Sequence, residues 1–405
     1  MLLFFKLGFR NLFRNTRRSL IAAIAIGIGL ASLILADGFW VGMLDNMIIN
    51  VTDTFLGHGQ IHQKDFQKSV SVENTISNLE NVIKKLNGQE NIVAYSSRVI
   101  TMSLISSAED SANVLLYGID PKDEFKISKV EKRIIEGGSL EKDGDILIGH
   151  KQKKRLGVRL GDRIVVTMAQ AHTGELVQEL FRLKGVFSLG SDQMDEGVVF
   201  IKKSKAQSLL GLEGKVHEIA FRFKELSEVD NSVEFFQSLN SEQNIAESWK
   251  DLAPGVVSTI DMSTVSISIL STILLALVSL GILNTLFMSL YERLFEFGVL
   301  RSLGTRSRSL LLMILSEAAA LSLLSMFFGI IIAIVIGGFW AKYGIDYAGV
   351  EFAEITFSDK IYFVFSVKQF VLYPILIFVF TLLVGLYPGI HATRITLADA
   401  LKKSL

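Results

Sequence analysis

The chain has 405 residues, half of them hydrophobic and a fifth charged, which is too apolar for an ordinary soluble protein and makes membrane segments the first expectation. Its 41 basic and 41 acidic residues cancel, so there is no overall charge signal for nucleic acid. It contains no cysteine, which excludes disulfides, thiol catalysis and cysteine-ligated metals.

In chain order, a short amphipathic segment, 1–18, carries Lys6, Arg10, Arg14, Arg17 and Arg18. An apolar run then predicts a first transmembrane helix at 19–44, since a span needs about 20 apolar residues. A cleaved signal peptide competes for this run. The best cut, after Ala36, puts Ile34 at the small-residue position, and the helix-compatible pattern continues past it, so an uncleaved anchor is expected. Further spans are expected at 260–290, 310–340 and 369–390, and the third holds a single charge, Glu317. Between them lie 45–259, 291–309 and 341–368, and a tail, 391–405, follows. Lys and Arg gather before the first span, between the second and third (Arg293, Arg301, Arg306, Arg308), and after the fourth (Arg394, Lys402, Lys403). The positive-inside rule then makes both termini and 291–309 cytoplasmic and leaves 45–259 outside. The fold class is therefore membrane α-helical, four transmembrane helices, with a large α+β extracytoplasmic domain inserted between the first and second spans.

Within that insertion, Val41–Leu56 prolongs the first span as a helix, and HGQIHQ reads as a strand. Val72–Leu86 has helical spacing, with Ser71 as cap. Ile92–Ile105 and Asn113–Ile119 read as strands, and Pro121 breaks the chain. A second lobe is expected at about 134–212, with strands at Phe181–Leu189 and Val198–Lys202 and a helix at Lys205–Leu210. His217–Phe223 and Glu225–Leu239 read as a strand and a helix, and ESWKDLAP leads into the second span.

The stretch Tyr291–Leu310, between two spans, is short, amphipathic and basic. Leu294, Phe297, Leu300 and Leu303 recur at helical spacing, and Gly304 supplies a stop. A helix there has little to do in the bilayer and suits a grip for a soluble protein. No G-x-x-x-x-G-K-[ST] occurs, so the chain does not cradle ATP phosphates itself. His58 and His62 have the i, i+4 spacing of a helical metal pair but lie in a strand-like stretch, where that spacing does not converge on one ion; no metal site is expected. Asp37 and Asp45 read as relay groups or as interface-seated helix residues. Ala23, Gly27 and Ala31, and Gly329, Ala333 and Gly337, form small-residue ridges suited to close helix packing. Phe39, Trp40, Met43, Met47 and Met262 gather at the outer ends of the first two spans. They suit a greasy, variable cargo, or equally an ordinary core or an interfacial belt.

Several motifs carry a family resemblance over nearly the whole chain. LGFRNLFRNTRRSLIAAIAIGIGLAS, Glu292–Gly304, SEAAALSLLSMFFGIIIA and LYPGIHATRITLADALK resemble the corresponding motifs of FtsX/MacB-type ABC transporter permeases. GHGQIHQKDF, RIIEGGSL, LKGVFSLG and ESWKDLAP look most like the lipoprotein-releasing LolC/LolE branch. The resemblance implies a permease subunit, not itself an enzyme, in the cell inner membrane. It implies two cytoplasmic ATPase subunits that bind the ATP and Mg, with no cofactor in this chain. It also implies a second permease, identical or homologous, a lipoprotein cargo and surrounding lipids. Glu292, Glu296, Phe297, Gly298, Leu300, Arg301 and Gly304 match the family's coupling helix. Glu317 reads as a brace to an Arg of that helix or as a snorkelling carboxylate. Met168–Glu179 is short and lacks proline, unlike the hook by which LolC-type subunits hold a periplasmic chaperone, so recruitment of such a chaperone stays open. A MacB-like exporter of peptides or toxins and an FtsX-like regulator of cell-wall hydrolases are the alternative functions.

Overall fold

A computed structural model describes residues 16–190, 192–347, 351–352, 355–356 and 360–394. The basic residues Lys6, Arg10 and Arg14, most of the tail and the end of the closing motif lie outside the described residues. The chain divides into a helical unit, from residues up to Leu44, Ile260–Asp346 and Lys360 onward, and an inserted unit, Asp45–Thr259 with Tyr347–Asp359.

The helical unit rests on α1 (Thr16–Val51), which runs on into a π-turn at Thr52–Leu56 belonging to the inserted unit. The inserted unit then gives β1 (Gly59–Gln63), α2 (Leu79–Asn87), β2 (Ile92–Ser106), β3 (Ser111–Ile119), α3 (Pro121–Ile127), β4 (Ile134–Gly137), β5 (Asp145–Gly149), α4 (His150–Leu156), β6 (Arg163–Ala169), β7 (Leu176–Phe187), α5 (Asp192–Gly197), β8 (Val198–Lys202), α6 (Lys203–Leu210), β9 (Glu218–Phe223), α7 (Glu228–Asn231), α8 (Val233–Leu239), β10 (Asn244–Ser248) and α9 (Trp249–Leu252). Long helices return with α10 (Pro254–Glu292), then the short α11 (Leu294–Ser302), α12 (Ser307–Tyr343), the hairpin β11–β12 (Glu351–Phe352, Ile355–Thr356) and α13 (Val367–Arg394).

Among the described residues four helices are long and apolar enough to cross a membrane: α1 with its π-turn, α10, α12 and α13. Their common core joins Leu30 and Ile34 of α1, Ile282 and Leu286 of α10, Leu321 and Ala333 of α12, and Ile377 of α13. The two small-residue ridges meet in it. A Cβ on Gly27 would lie 2.8 Å from the Ser325 carbonyl oxygen and 3.0 Å from the Gly329 nitrogen, and one on Gly329 would lie 2.7 Å from the Gly27 carbonyl oxygen. Only glycines allow backbones this close. Helix α13 continues to Arg394 with Pro374 and Pro388 inside it. Backbone groups freed by a proline can be satisfied locally in a packed membrane helix.

The inserted unit is one connected β-structure. Four strands run β10–β1–β9–β2, all antiparallel. The far half of β2 then closes a six-stranded barrel through β3, β8, β5, β7 and β6 back to β2. Alternate residues such as Ile105, Leu116, Ile148, Val166, Phe181 and Val199 are buried, whereas Met102, Leu104, Leu176 and Leu180 point out and stay exposed. The expected lobe at 134–212 is thus not self-contained, because its barrel closes only with strands drawn from 99–119. Three local expectations also change. The helix expected from Val72 begins at Leu79, because the backbone before it is tied elsewhere: Ile76 N–H donates to the Val216 carbonyl at 2.8 Å, and Ser77 exchanges two hydrogen bonds with the Asn244 side chain. Pro121 does not break structure but opens α3, with the Asp120 side chain accepting from Lys122 N–H at 3.1 Å. The helix expected at Glu225–Leu239 is split at Ser232 into α7 and α8.

Candidate functional site

The connection between α10 and α12 is built around a break and a stop. Helix α10 includes Glu292; Arg293 leaves helical geometry (φ −113°, ψ 13°), and α11 starts afresh at Leu294. At the other end Gly304 takes φ +88°, a left-handed conformation that side-chain-bearing residues rarely adopt. A Cβ there would meet nothing within 4 Å, so backbone conformation is what calls for glycine.

The inner face of α11 is anchored. Phe297 packs with Leu290 of α10, Leu310, Met313 and Ile314 of α12, and Ala392 of α13, with Leu300 against the same cluster. Leu294 and Gly298 are buried as well. Charged groups fix the orientation. Arg293 donates from Nη1 to Glu317 Oε2 at 2.9 Å and from Nε to Glu296 Oε2 at 2.9 Å, and its guanidinium lies 5.2 Å from the Phe297 ring centroid. The other Glu317 oxygen accepts from Ser289 Oγ at 2.6 Å. Arg301 Nη1 donates to the Thr393 carbonyl at 2.7 Å, near the end of α13. Arg18 on α1 pairs with Glu292 and donates to the Thr285 carbonyl at 2.9 Å. Arg301, at the end of α11, thus meets a carbonyl in the last turn of α13 that this helix leaves without an intrahelical partner.

The outer face is apolar. Phe295, Val299 and Leu303 stand four residues apart and are 50%, 36% and 78% exposed. Sequence periodicity had assigned the apolar face to Leu294, Phe297, Leu300 and Leu303. The structure sends the first two inward, leaves Leu300 partly covered, and turns Leu303 outward with Phe295 and Val299. Of the coupling residues expected from the sequence, Phe297 and Gly298 hold the helix in place, Glu292, Glu296 and Arg301 are tied into ion pairs or carbonyl contacts, and Gly304 terminates it. Phe295 and Val299, exposed on the other face, are not among the residues expected from the sequence. A second apolar stripe one residue out of phase was the available signal.

The other candidates separate. Met43 and Met47 on α1 are buried, Phe39 and Trp40 are half-buried, and Met262 on α10 is 72% exposed. From Met262 the open face of α10 continues through Val265, Ile269 and Ile273. Asp37 accepts a hydrogen bond from Tyr373 Oη of α13 at 2.9 Å. His62 Nε2 lies 2.8 Å from Glu247 Oε2, while His58 Nδ1 accepts from Phe223 N–H at 3.2 Å, so the two imidazoles serve different partners. Among the described residues no group of three or more His, Asp or Glu could hold a metal ion.

Comparison with known families assigns the class of protein. Residues 268–397 match the FtsX-like permease C-terminal domain, and residues 19–234 match the MacB-like periplasmic core domain. The chain belongs to the FtsX/MacB family of ABC transporter permeases. It is 20% identical over 332 residues to the lipoprotein-releasing system transmembrane protein LolC of Xylella fastidiosa strain 9a5c, covering 76% of this chain and 78% of that one. It is 24% identical over 198 residues to LolE of Haemophilus influenzae, covering 47% and 45%. Among solved structures, the periplasmic region of MacB from Actinobacillus actinomycetemcomitans aligns with 51% of this chain and 95% of its own, at 14% identity and a TM-score of 0.35. The extracellular domain of YknZ from Gram-positive bacteria aligns with 47% and 98%, at 12% identity and a TM-score of 0.33.

Proposed function

We propose that the chain is the permease subunit of an inner-membrane complex that extracts lipoproteins from the outer leaflet, driven by ATP hydrolysis in a separate ATPase. The observation that carries this reading is the hub at Glu292–Gly304. An outward apolar stripe sits on a helix whose inner side is bonded to α12 by Arg293–Glu317 and to α13 by Arg301. A push on Phe295, Val299 and Leu303 therefore reaches several membrane helices at once. ATP and Mg belong to the ATPase, present in two copies, and a second permease completes the pair. Both termini and α11 face the cytoplasm, and the inserted domain lies outside. Lipoprotein as cargo is supported by the likeness to LolC along most of the chain.

The open face of α10 at Met262 suits acyl chains, which gain almost nothing on leaving one apolar medium for another, so a resting site holds them loosely and nucleotide must drive release. A photo-crosslinker at Met262, in proteoliposomes with the ATPase and partner permease, is expected to trap an acylated protein without nucleotide and to lose it when ATP is trapped. Crosslinks absent in both states would reject the lipoprotein cargo and favour a peptide exporter.

A further inference from the structure

The π-turn that ends the first long helix is gripped by a guanidinium with no access to water. Arg98 of β2 is fully buried. Its Nε and Nη2 reach the two oxygens of Glu124 on α3 at 2.9 and 2.6 Å, and its Nη1 reaches Glu218 on β9 at 2.7 Å. Nη2 also donates to the Phe55 carbonyl at 2.7 Å, and the guanidinium carbon lies 4.0 Å from the Phe55 ring centroid. Asp53, in the same turn, pairs with Lys129 at 3.1 Å and Arg222 at 2.9 Å.

A buried ionic cluster is weak evidence for stability, because well-packed apolar side chains of similar volume often do as well or better. An apolar cluster could fill the space but could not hold a carbonyl in one direction. The planar fork of arginine, fixed by two carboxylates from different elements, leaves the bound carbonyl one position. That carbonyl belongs to the last turn of a helix that runs without a break from Thr16. We propose that Arg98 is a positioning residue that fixes the direction of the Phe55 carbonyl and so holds the π-turn, 52–56, in one register against β2 and β9, so that movement arriving along the chain at this turn reaches the β-sheet instead of being lost by slippage there. Glu124 and Glu218 are its supports. Because β9 pairs with both β1 and β2, load on Phe55 spreads over three strands. The proposal rests on the reading of the chain as an ATP-driven permease.

The test uses the full chain assembled with its ATPase and partner permease. One variant combines Arg98→Met, Glu124→Leu and Glu218→Leu, which strands no buried charge; the second, Arg98→Lys, keeps the charge and loses the fork. Hydrogen–deuterium exchange is followed with and without vanadate-trapped nucleotide. Amides of 52–57 are expected to exchange about tenfold faster in both variants while β2, β3 and β9 keep their protection. The nucleotide-dependent change in the inserted domain of the parent is expected to disappear in the variants. Unchanged exchange at 52–57, or protection lost evenly across the domain, overturns the proposal. A parent complex with no nucleotide response in the domain overturns the ATP-driven reading, while the comparison at 52–57 still decides whether Arg98 holds the turn.

Discussion

Arg293 and Glu317 meet across 2.9 Å at the point where the α10–α11 break is pinned to α12, with their side chains only 11% and 14% exposed. The carboxylate is held on its other oxygen by Ser289, so a single group ties three segments together. The sequence offered two readings of Glu317, and the geometry makes the ion pair. Glu317→Ala leaves the Arg293 guanidinium with Glu296 alone and is expected to cost about 2 kcal/mol. Arg293→Met with Glu317→Leu is expected to cost clearly less than the two single changes together. Denaturant unfolding of the full chain in micelles measures both, and additive losses would show that the pair is not coupled.

The two faces of α11 predict separable defects. Phe295→Asp and Val299→Asp place charge on the exposed stripe. They are expected to abolish co-purification of the ATPase while leaving unfolding of the permease within about 0.5 kcal/mol of the parent. Phe297→Ala empties a buried position and is expected to cost about 3 kcal/mol. Equal loss of ATPase binding in all three, with equal destabilisation, would remove the distinction between the faces.

The Gly27–Gly329 contact leaves no room for a side chain. Gly27→Leu or Gly329→Leu drives carbon into the facing backbone and is expected to cost about 3 kcal/mol or to block assembly of the helical unit. Gly281 has nothing within 4 Å of its Cβ position, so Gly281→Leu is the control and is expected to be tolerated. Protease resistance of the membrane-inserted chain reports the difference.

Burial sets the acid limit of the inserted domain. His217 accepts from Ile100 N–H on Nδ1 and faces the Val72 carbonyl with Nε2, an arrangement met by neutral imidazole. Burial pushes its pKa below the ordinary value, and burial, aided by Arg222, lowers that of His58 to about 4. Between about 4 and 6.5 the unfolded chain binds a proton at His58 that the folded chain refuses. The contribution to stability is therefore complete above pH 6.5 and is lost as pH falls toward 4. His58→Gln is expected to flatten the decline in unfolding free energy over that window, and His217→Gln to flatten it below pH 6.5. An unchanged slope in both would assign the acid lability to other groups.

Orientation is checked by reporters active only outside the cytoplasm. Insertions beside Asp143 or Asp346 are expected to be active and one beside Thr305 inactive. Activity at Thr305 would overturn the placement of α11 and with it the ATPase contact.

Long-period patterns were legible in the residues. Four apolar runs and the glycine ridges marked the helical unit, and Ile92–Ile105 and Asn113–Ile119 already read as the strands that became β2 and β3. Contacts between distant segments were not. Residues 72–78 have helical spacing, yet Val216 and Asn244 take up their hydrogen bonds. Pro121 reads as a breaker until Asp120 is seen capping the helix that it opens. The barrel was hidden because β2 serves two sheets along one strand, and nothing in its local pattern tells where pairing with β9 gives way to pairing with β6. The outward stripe of α11 was missed because apolar residues line both of its faces, and periodicity alone cannot say which one a neighbour covers.

The strand order β10–β1–β9 has a consequence for biogenesis. The first strand to emerge lies between the last two of its own sheet, so β1 stays without a partner until Glu218–Phe223 and Asn244–Ser248 have been synthesised. At ordinary elongation rates that wait is on the order of ten seconds or more. Meanwhile α1 is already available for insertion, tethering a growing chain with both edges of β1 exposed. Contacts this distant in sequence form slowly, and open strand edges invite wrong pairing. Overproduction is therefore expected to fail at this stage first, yielding membrane-anchored chains cleavable between β1 and β9, and slower translation of 64–217 would prolong exactly this vulnerable interval rather than relieve it.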